Sequence, residues 1–217
     1  MPKIITVLIA DDEPVARAGI RSLLAHAEDI KIIGEAQDGN EIKQLVANLH
    51  PQVLLLDLRM PNLSPIELEK WVRENYPETV TLVFTAHHHA AYLAGMMDTG
   101  AAGYLDKKLE GSDLVTSIRR AAHGEVLFRT EQYDRAQKWK ETVKQKWESL
   151  TNREQELLKH LSMGEDNKTI AKSLNITLKT VEFHITNILR KLNMNSRDEA
   201  IVWMLEHHPD DLDTIKD

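Results

Sequence analysis

Over its first 128 residues this chain alternates short apolar runs with longer amphipathic stretches, and that rhythm leaves few architectures open. The runs are IITVLIA (residues 4–10), IKIIGEA (30–36), VLLLD (53–57), VTLVFT (80–85) and the brief GYL (103–105). Each is of strand length, and each is followed by a longer helix-compatible stretch. Repeated βα units of this kind imply a parallel sheet covered on both faces by right-handed crossover helices. Local signals agree. Pro14 suits the first turn of a helix, Ser64-Pro65-Ile66-Glu67 has the form of a capping box, and Ser112 can cap a helix that ends near His123-Gly124.

The 217 residues suffice for one large domain or two small ones. Apolar residues make up 42% and charged residues 28%, an ordinary globular balance, and the apolar runs are all far shorter than the roughly 18 residues that a membrane span needs. Met1-Pro2-Lys3 leads into a run that meets Asp11 and Asp12 instead of a small-residue cleavage site, so no export leader is expected. The absence of cysteine excludes a disulfide framework and a thiolate zinc site, and a cytoplasmic location is the expectation. The net charge of −7 is unevenly spread. Lys and Arg against Asp and Glu number 12 against 18 in residues 1–128, 6 against 4 in 129–148, 8 against 8 in 149–208, and 1 against 4 in the acidic tail 209–217, which reads as a frayed solubilising end.

In an open parallel sheet, ligands gather beyond the carboxyl ends of the strands, where the strand order reverses; for the order 2-1-3-4-5 that point lies between strands 1 and 3. Strand 1 runs into Asp11-Asp12-Glu13 and strand 3 into Asp57, so carboxylates converge on one rim. Like charges so placed raise one another's pKa unless a cation relieves them, and an all-oxygen, water-accessible cluster suits Mg²⁺. Strand 4 ends at the Thr85 hydroxyl, and Lys107 follows strand 5. A carboxylate with a cation, a hydroxyl and an ammonium around it is a site for a phosphoryl group: the carboxylate attacks, and the positive charges absorb what develops.

The stretches IADDEPVARAGIRSLL, LLLDLRMP, VFTAH and GAAGYLDKKLEGSDL resemble the receiver domain of bacterial two-component response regulators over residues 4 to about 124. The resemblance implies a flavodoxin-like (βα)5 receiver, with Asp57 as phosphoacceptor. It makes Asp12, Asp57 and the Arg59 backbone carbonyl direct Mg²⁺ ligands and Asp11 a ligand through water. It gives Thr85 and Lys107 the phosphate contacts, and Tyr104 the place of the aromatic that turns inward when the threonine engages. A phosphohistidine on a sensor histidine kinase is the implied donor. Arg59 and His87, two residues past Asp57 and Thr85, border the entry of hydrolytic water. Lys107 and its neighbour Lys108 point to opposite sides of an extended chain, so only one can enter the site.

His87, His88 and His89 raise the question of a metal, but consecutive side chains diverge on a strand or a helix, and loop positions are the preferred reading. Residues 129–148 form a connector without glycine or proline, in which Trp139, Val143 and Trp147 recur every four residues. It reads as an amphipathic helix whose stripe packs on one of the chain's own domains, with a dimer seam as the alternative.

From Leu150 the pattern is helical throughout. Thr151-Asn152-Arg153-Glu154 and Ser196-Arg197-Asp198-Glu199 are capping boxes, Gly164 is a terminator, and NKTIAKSLNI and TLKTVEFHITNILRKL are two helices joined by a tight turn at Leu174-Asn175-Ile176. Thr177 caps the second helix, with Leu178, Val181, Ile185 and Leu189 as its inward stripe and Lys179, Glu182, Phe183 and Thr186 facing outward. Lys168, Lys172, Arg190, Lys191 and Arg197 are candidate phosphate contacts, which fix register without reading bases. The segment 149 to about 206 closely resembles the four-helix, helix-turn-helix DNA-binding domain of the LuxR type, and joined to a receiver it has the architecture of NarL/FixJ-type response regulators. The resemblance predicts basic residues at Glu182 and Thr186. Glutamate can accept from cytosine N4 and phenylalanine can touch a thymine methyl, while a net charge of zero over 149–208 weakens the nonspecific attraction to phosphates.

The resulting expectation is a receiver over residues 1–128, a helical linker over 129–148 and a DNA-binding domain over 149–208, followed by the acidic tail 209–217. The expected function is a transcription factor whose binding to double-stranded DNA is controlled by phosphorylation of Asp57 and which is not a metabolic enzyme. The resemblance implies a homodimer, which phosphorylation can control, and leaves RNA polymerase open as a further partner. Two alternatives stand beside it: an adaptor with a vestigial acceptor site, and an aspartyl-phosphate phosphatase or phosphotransferase. Enzymes of the latter kind carry an acid two residues after the nucleophile, where this chain has Arg59.

Overall fold

A computed structural model of the protein describes residues 4–207; the tail 209–217, and with it the reading of a frayed end, lies outside them. The chain divides after Gln137 into two compact units. In the first, five strands alternate with five helices: β1 (Ile5–Ala10), α1 (Pro14–Leu24), β2 (Ile30–Ala36), α2 (Gly39–Leu49), β3 (Val53–Leu56), α3 (Pro65–Asn75), β4 (Val80–Thr85), α4 (Ala90–Thr99), β5 (Gly103–Asp106) and α5 (Gly111–Ala122). All strand pairs are parallel and the order is β2-β1-β3-β4-β5, the doubly wound arrangement expected of a βα repeat. The central strand β3 is buried at every position, because helices cover both its faces, which is why VLLL has no polar alternation. On one side Val7, Ile9, Leu55, Leu82 and Phe84 pack with Ile20 and Leu24 of α1 and Leu114 and Ile118 of α5.

Helix termini depart from the sequence reading in two places. Pro14 does open α1. Ser64, however, makes no side-chain cap on α3, although Pro65 follows it at the first helical position as expected. Ser112 lies inside α5, whose N-cap is Glu110. Helix α2 has the capping pattern that the sequence reading did not single out: Asp38 accepts from the backbone N–H groups of Asn40 and Glu41 at 2.8 and 2.9 Å.

Helix α6 (Thr130–Glu148) runs through the connector, and α7 (Asn152–Ser162), α8 (Asn167–Ser173), α9 (Leu178–Leu192) and α10 (Arg197–His207) complete the second unit. Its core is Leu157, Leu158, Leu161, Ile170, Val181, Ile188, Leu192, Ala200, Trp203 and Met204. Val143 and Trp147 of α6 pack on that core, with the Trp147 and Trp203 rings stacked at 6.4 Å, so the connector's stripe is used within the chain. The front of α6 belongs to the first unit: Gln132 Nε2 donates to the Tyr104 backbone oxygen at 2.8 Å. The Thr151–Glu154 capping box is complete. The second box is half formed: Glu199 N–H donates to Ser196 Oγ, but the Glu199 carboxylate accepts from Asn195 N–H.

An ionisable side chain is completely buried in α3. Glu69 lies on the inner stripe of α3 with Leu68 and Val72 and is fully buried. Among the described residues neither of its oxygens, nor the Thr81 hydroxyl facing it, makes a hydrogen bond of ordinary geometry. Burial pushes its carboxyl up to about 7, and Thr81 and the more distant Arg73 offset this only in part. An ordinary carboxyl in the unfolded chain ionises well below that value. The folded state therefore holds a proton that the unfolded state has released, and stability falls as pH rises from about 4.5 to about 7 before levelling off. We expect Glu69→Gln to raise stability at pH 8 by roughly 1–3 kcal/mol and to leave it unchanged near pH 4. Urea melts of both forms at a series of pH values check this, and a pH-independent difference would contradict it.

Candidate functional site

The rim beyond the carboxyl ends of β1 and β3 collects the acids. Among the described residues, Asp11, Asp12 and Asp57 are the group suited to hold a metal: one ligand atom from each lies within 4.8 Å of the others. Asp57 is 6% exposed, Asp11 is 1% exposed and Asp12 is open to solvent. Asp57 Oδ1 accepts from the Thr85 hydroxyl at 2.7 Å and from Leu58 N–H at 2.7 Å. Lys107 Nζ lies 2.7 Å from Asp57 Oδ2 and 2.7 Å from Asp11 Oδ2, bridging the two carboxylates. Burial alone would push that ammonium towards neutrality, but its bonds to Asp11 and Asp57 hold its pKa above the usual value. Burial raises the Asp11 carboxyl, more than Lys107 and the Glu13 N–H lower it.

Each element accounts for one arm of the site. Strand β4 ends at Thr85, fully buried and turned toward Asp57. Lys107 leaves the end of β5 toward the rim, while Lys108 is exposed, so the alternation resolves which lysine enters. Tyr104 is 4% exposed and its hydroxyl donates to the His87 backbone oxygen at 2.6 Å; burial pushes its phenol well above the usual value. The inward tyrosine thus accompanies a threonine already on Asp57. An open cavity of about 570 Å³ adjoins Asp12 and Asp57, lined also by Glu13, Arg59, His87 and Tyr92. Three carboxylate donors beside water-accessible space fit a small hard cation that keeps part of its hydration shell.

The histidine triplet does not converge. The His87 and His89 rings stack at 6.5 Å, whereas His88 Nε2 turns to Asp106 Oδ2 at 3.1 Å. Two participants escaped the sequence reading. The Leu58 N–H that donates to Asp57 is a backbone group and carries no residue signature. Arg17 is 7% exposed and donates to the Asp11 carbonyl at 2.6 Å; its signal was an arginine on the apolar stripe that α1 shows at Ile20 and Leu24.

In the second unit α8 and α9 form the helix-turn-helix, with Asn175 at φ 51° in the turn and Thr177 capping α9 by accepting from Thr180 N–H at 3.2 Å. The inward stripe is rotated from the one expected. Val181, Ile188 and Leu192 are fully buried, Ile185 and Leu189 are half-buried, and Leu178 is 44% exposed. Leu178 is the first residue of the helix, and its side chain leans back past the N-terminus, where no core lies beneath it. The outward set holds: Lys179, Glu182, Phe183, Thr186 and Arg190 are exposed, as are Lys168 and Lys172 of α8, and Phe183 is 63% exposed. Two proposed phosphate contacts have structural partners as well. Lys191 Nζ donates to the buried Glu154 at 2.6 Å, and Arg197 bonds to Asn167 Oδ1 and to the Glu165 carbonyl.

The family model described as the response regulator receiver domain matches residues 7–119, and that of bacterial regulatory proteins of the luxR family matches 148–204. A receiver of the two-component type followed by a DNA-binding module is thus the class defined by fold and site. The nitrate/nitrite response regulator protein NarL of Escherichia coli K12 is 35% identical over 208 residues, covering 92% of this chain and 94% of its own. The response regulator protein VraR of Staphylococcus aureus is 30% identical over 204 residues, covering 94% and 98%. A structure of the RcsB response regulator of Salmonella typhimurium aligns with a TM-score of 0.64 at 25% identity, over 92% of this chain and 98% of that one. The chain belongs to the NarL/FixJ-type response regulators.

Glu154 depends on Lys191 and Thr151 for its charge, and burial works against it, yet its carboxyl stays below the usual value. Lys191→Met is expected to lower the stability of the second unit by about 2 kcal/mol, because a buried charge loses its counter-ion. Urea unfolding of a Trp71→Phe background, followed by the fluorescence of the remaining tryptophans Trp139, Trp147 and Trp203, checks this; an unchanged midpoint would contradict it.

Proposed function

We propose that Asp57 is the phosphoacceptor of a cytoplasmic regulator that binds double-stranded DNA and takes its phosphoryl group from the phosphohistidine of a sensor kinase. The observation that carries this is the environment of Asp57: one oxygen held by Thr85 and Leu58 N–H, the other by Lys107, with Asp11 and Asp12 beside it. In the transfer a P–O bond forms to Asp57 as the donor's P–N bond breaks. Lys107 and Thr85 lie where they can take up charge on the phosphoryl oxygens. Asp12, Asp57 and the Arg59 carbonyl would hold Mg²⁺ directly and Asp11 would hold it through water; the ion supplies charge neutralisation at the transferring group. Arg59 stands where small-molecule phosphatases of related chemistry carry an acid, which favours a regulator over a metabolic enzyme.

Engagement of the phosphoryl group by Thr85, with Tyr104 held inward, biases the α4-β5-α5 face. A hundredfold population shift needs only about 2.7 kcal/mol, the scale of a few charge-assisted bonds. The consequence is freeing or pairing of the helix-turn-helix, with a homodimer on DNA and RNA polymerase as a downstream contact. The solved RcsB structure is described in terms of DNA interaction, which supports assigning the same role to α9 here. Lys179, Glu182, Phe183 and Thr186 face the bases; Lys168, Lys172, Arg190, Lys191 and Arg197 face phosphates.

Acetyl phosphate with Mg²⁺ is expected to add one phosphoryl mass to the wild type and none to Asp57→Asn; label surviving the substitution would refute the assignment. For the DNA module, a duplex enriched from a random pool by the phosphorylated chain should lose affinity with rising salt, and Lys168→Met should reduce that salt slope by about one. Failure to enrich any duplex in either phosphorylation state would instead favour a protein-binding role.

A further inference from the structure

We infer that Arg17 is a positioning residue for the cation site: it acts through the Asp11 backbone carbonyl to aim the Asp11 and Asp12 carboxylates, and so sets the affinity for a divalent cation. The inference rests on the reading of Asp11, Asp12 and Asp57 as the Mg²⁺ site. Arg17 bonds to the backbone of Asp11, and its ion pair is with Glu35. Its guanidinium is buried, with Nη1 donating to the Asp11 carbonyl at 2.6 Å and Nε paired with Glu35 Oε2 at 3.2 Å. Glu35, near the end of β2, also receives Arg21 Nη1 on both oxygens at 2.7 Å. Arg17 shares Glu35 with Arg21, and the contribution it alone makes at the turn is the bond to the Asp11 carbonyl, which supplies direction.

That direction falls on the right peptide. The Asp11 carbonyl belongs to the Asp11–Asp12 link, so fixing it fixes the orientation of the Asp12 backbone and the vector along which the Asp12 carboxylate leaves. The other side of the turn is held as well: Asp11 N–H donates to the Ala36 carbonyl at 3.1 Å, and Glu13 N–H donates to Asp11 Oδ1 at 2.9 Å. Among these restraints on the backbone of the turn, Arg17 ties it to α1 and, through Glu35, to β2 together. Mg²⁺ demands near-octahedral geometry at short distances, so a small misdirection of one carboxylate costs it disproportionately. Residues that orient ligands in this way typically alter metal affinity by 10- to 100-fold when removed.

The design of the test uses Arg21. Because Arg21 stays on Glu35, Arg17→Met removes the bond to Asp11 without stranding Glu35. Calorimetric titration of the full chain with MgCl2 is expected to show the dissociation constant raised tenfold or more in Arg17→Met, with Arg17→Lys intermediate because an ammonium lacks the fork that serves both acceptors. Arg119→Met is the stability control. It breaks a two-bond pair with Asp29 at the opposite end of the sheet, and it should lower the melting temperature while leaving Mg²⁺ affinity unchanged. The Asp57 phosphorylation level reached at saturating Mg²⁺ should return to that of the wild type in Arg17→Met, with only the Mg²⁺ concentration for half effect shifted. Folded Arg17→Met or Arg17→Lys binding Mg²⁺ within twofold of the wild type would overturn the inference alone. Mg²⁺ binding that survives Asp12→Ala would overturn the underlying site, and this inference with it.

Discussion

The structure is organised around a repulsion that the fold creates and must answer. Bringing β1 and β3 side by side in parallel places their carboxyl ends together, and the residues there are Asp11, Asp12 and Asp57. Two unit charges about 4 Å apart interact by roughly 4 kcal/mol at the effective dielectric near a protein surface. That is comparable to the whole stability margin of a small domain. Lys107 answers it by spanning Asp11 and Asp57, so the ammonium holds the rim together and at the same time marks where a second cation and a phosphoryl group would meet.

The surrounding parts follow from keeping this rim both charged and controllable. Thr85 and Leu58 N–H fix one oxygen of Asp57, which leaves its other side to Lys107 and the open cavity. Tyr104, fixed to the His87 carbonyl, ties β5 to the loop after β4. The Gln132 side chain at the front of α6 bonds to the Tyr104 carbonyl, and the back of α6 packs Val143 and Trp147 on the core of the second unit.

Much of this was legible in the sequence because the signals were short-range. A strand that stops on a carboxylate announces its own end, and the doubly wound order then decides which ends meet; Asp11, Asp12, Asp57, Thr85 and Lys107 needed no further information. The helix-turn-helix was equally readable from its caps and its turn. The misses share a different cause. Glu69 and Arg17 are charged residues on buried helix stripes, and a hydrophobic pattern treats such positions as errors rather than as contents. The α9 stripe runs through Val181, Ile188 and Leu192 and leaves Leu178 at the first turn exposed, a matter of tertiary placement that residue type does not reveal. Ser64 and Ser112 had the right residue types for caps, but the Ser64 hydroxyl makes no capping bond although it stands at the N-cap, and α5 begins before Ser112.

Whether the carboxylate rim holds a divalent cation is read most directly from anomalous scattering by crystals of the full chain soaked with Mn²⁺, an ion of the same charge and oxygen preference as Mg²⁺. One peak is expected at bonding distance from the Asp12 and Asp57 carboxylates and the Arg59 carbonyl, with Lys107 released from Asp11 or Asp57. A saturated crystal with no density there, or with the ion held by other residues, would contradict it.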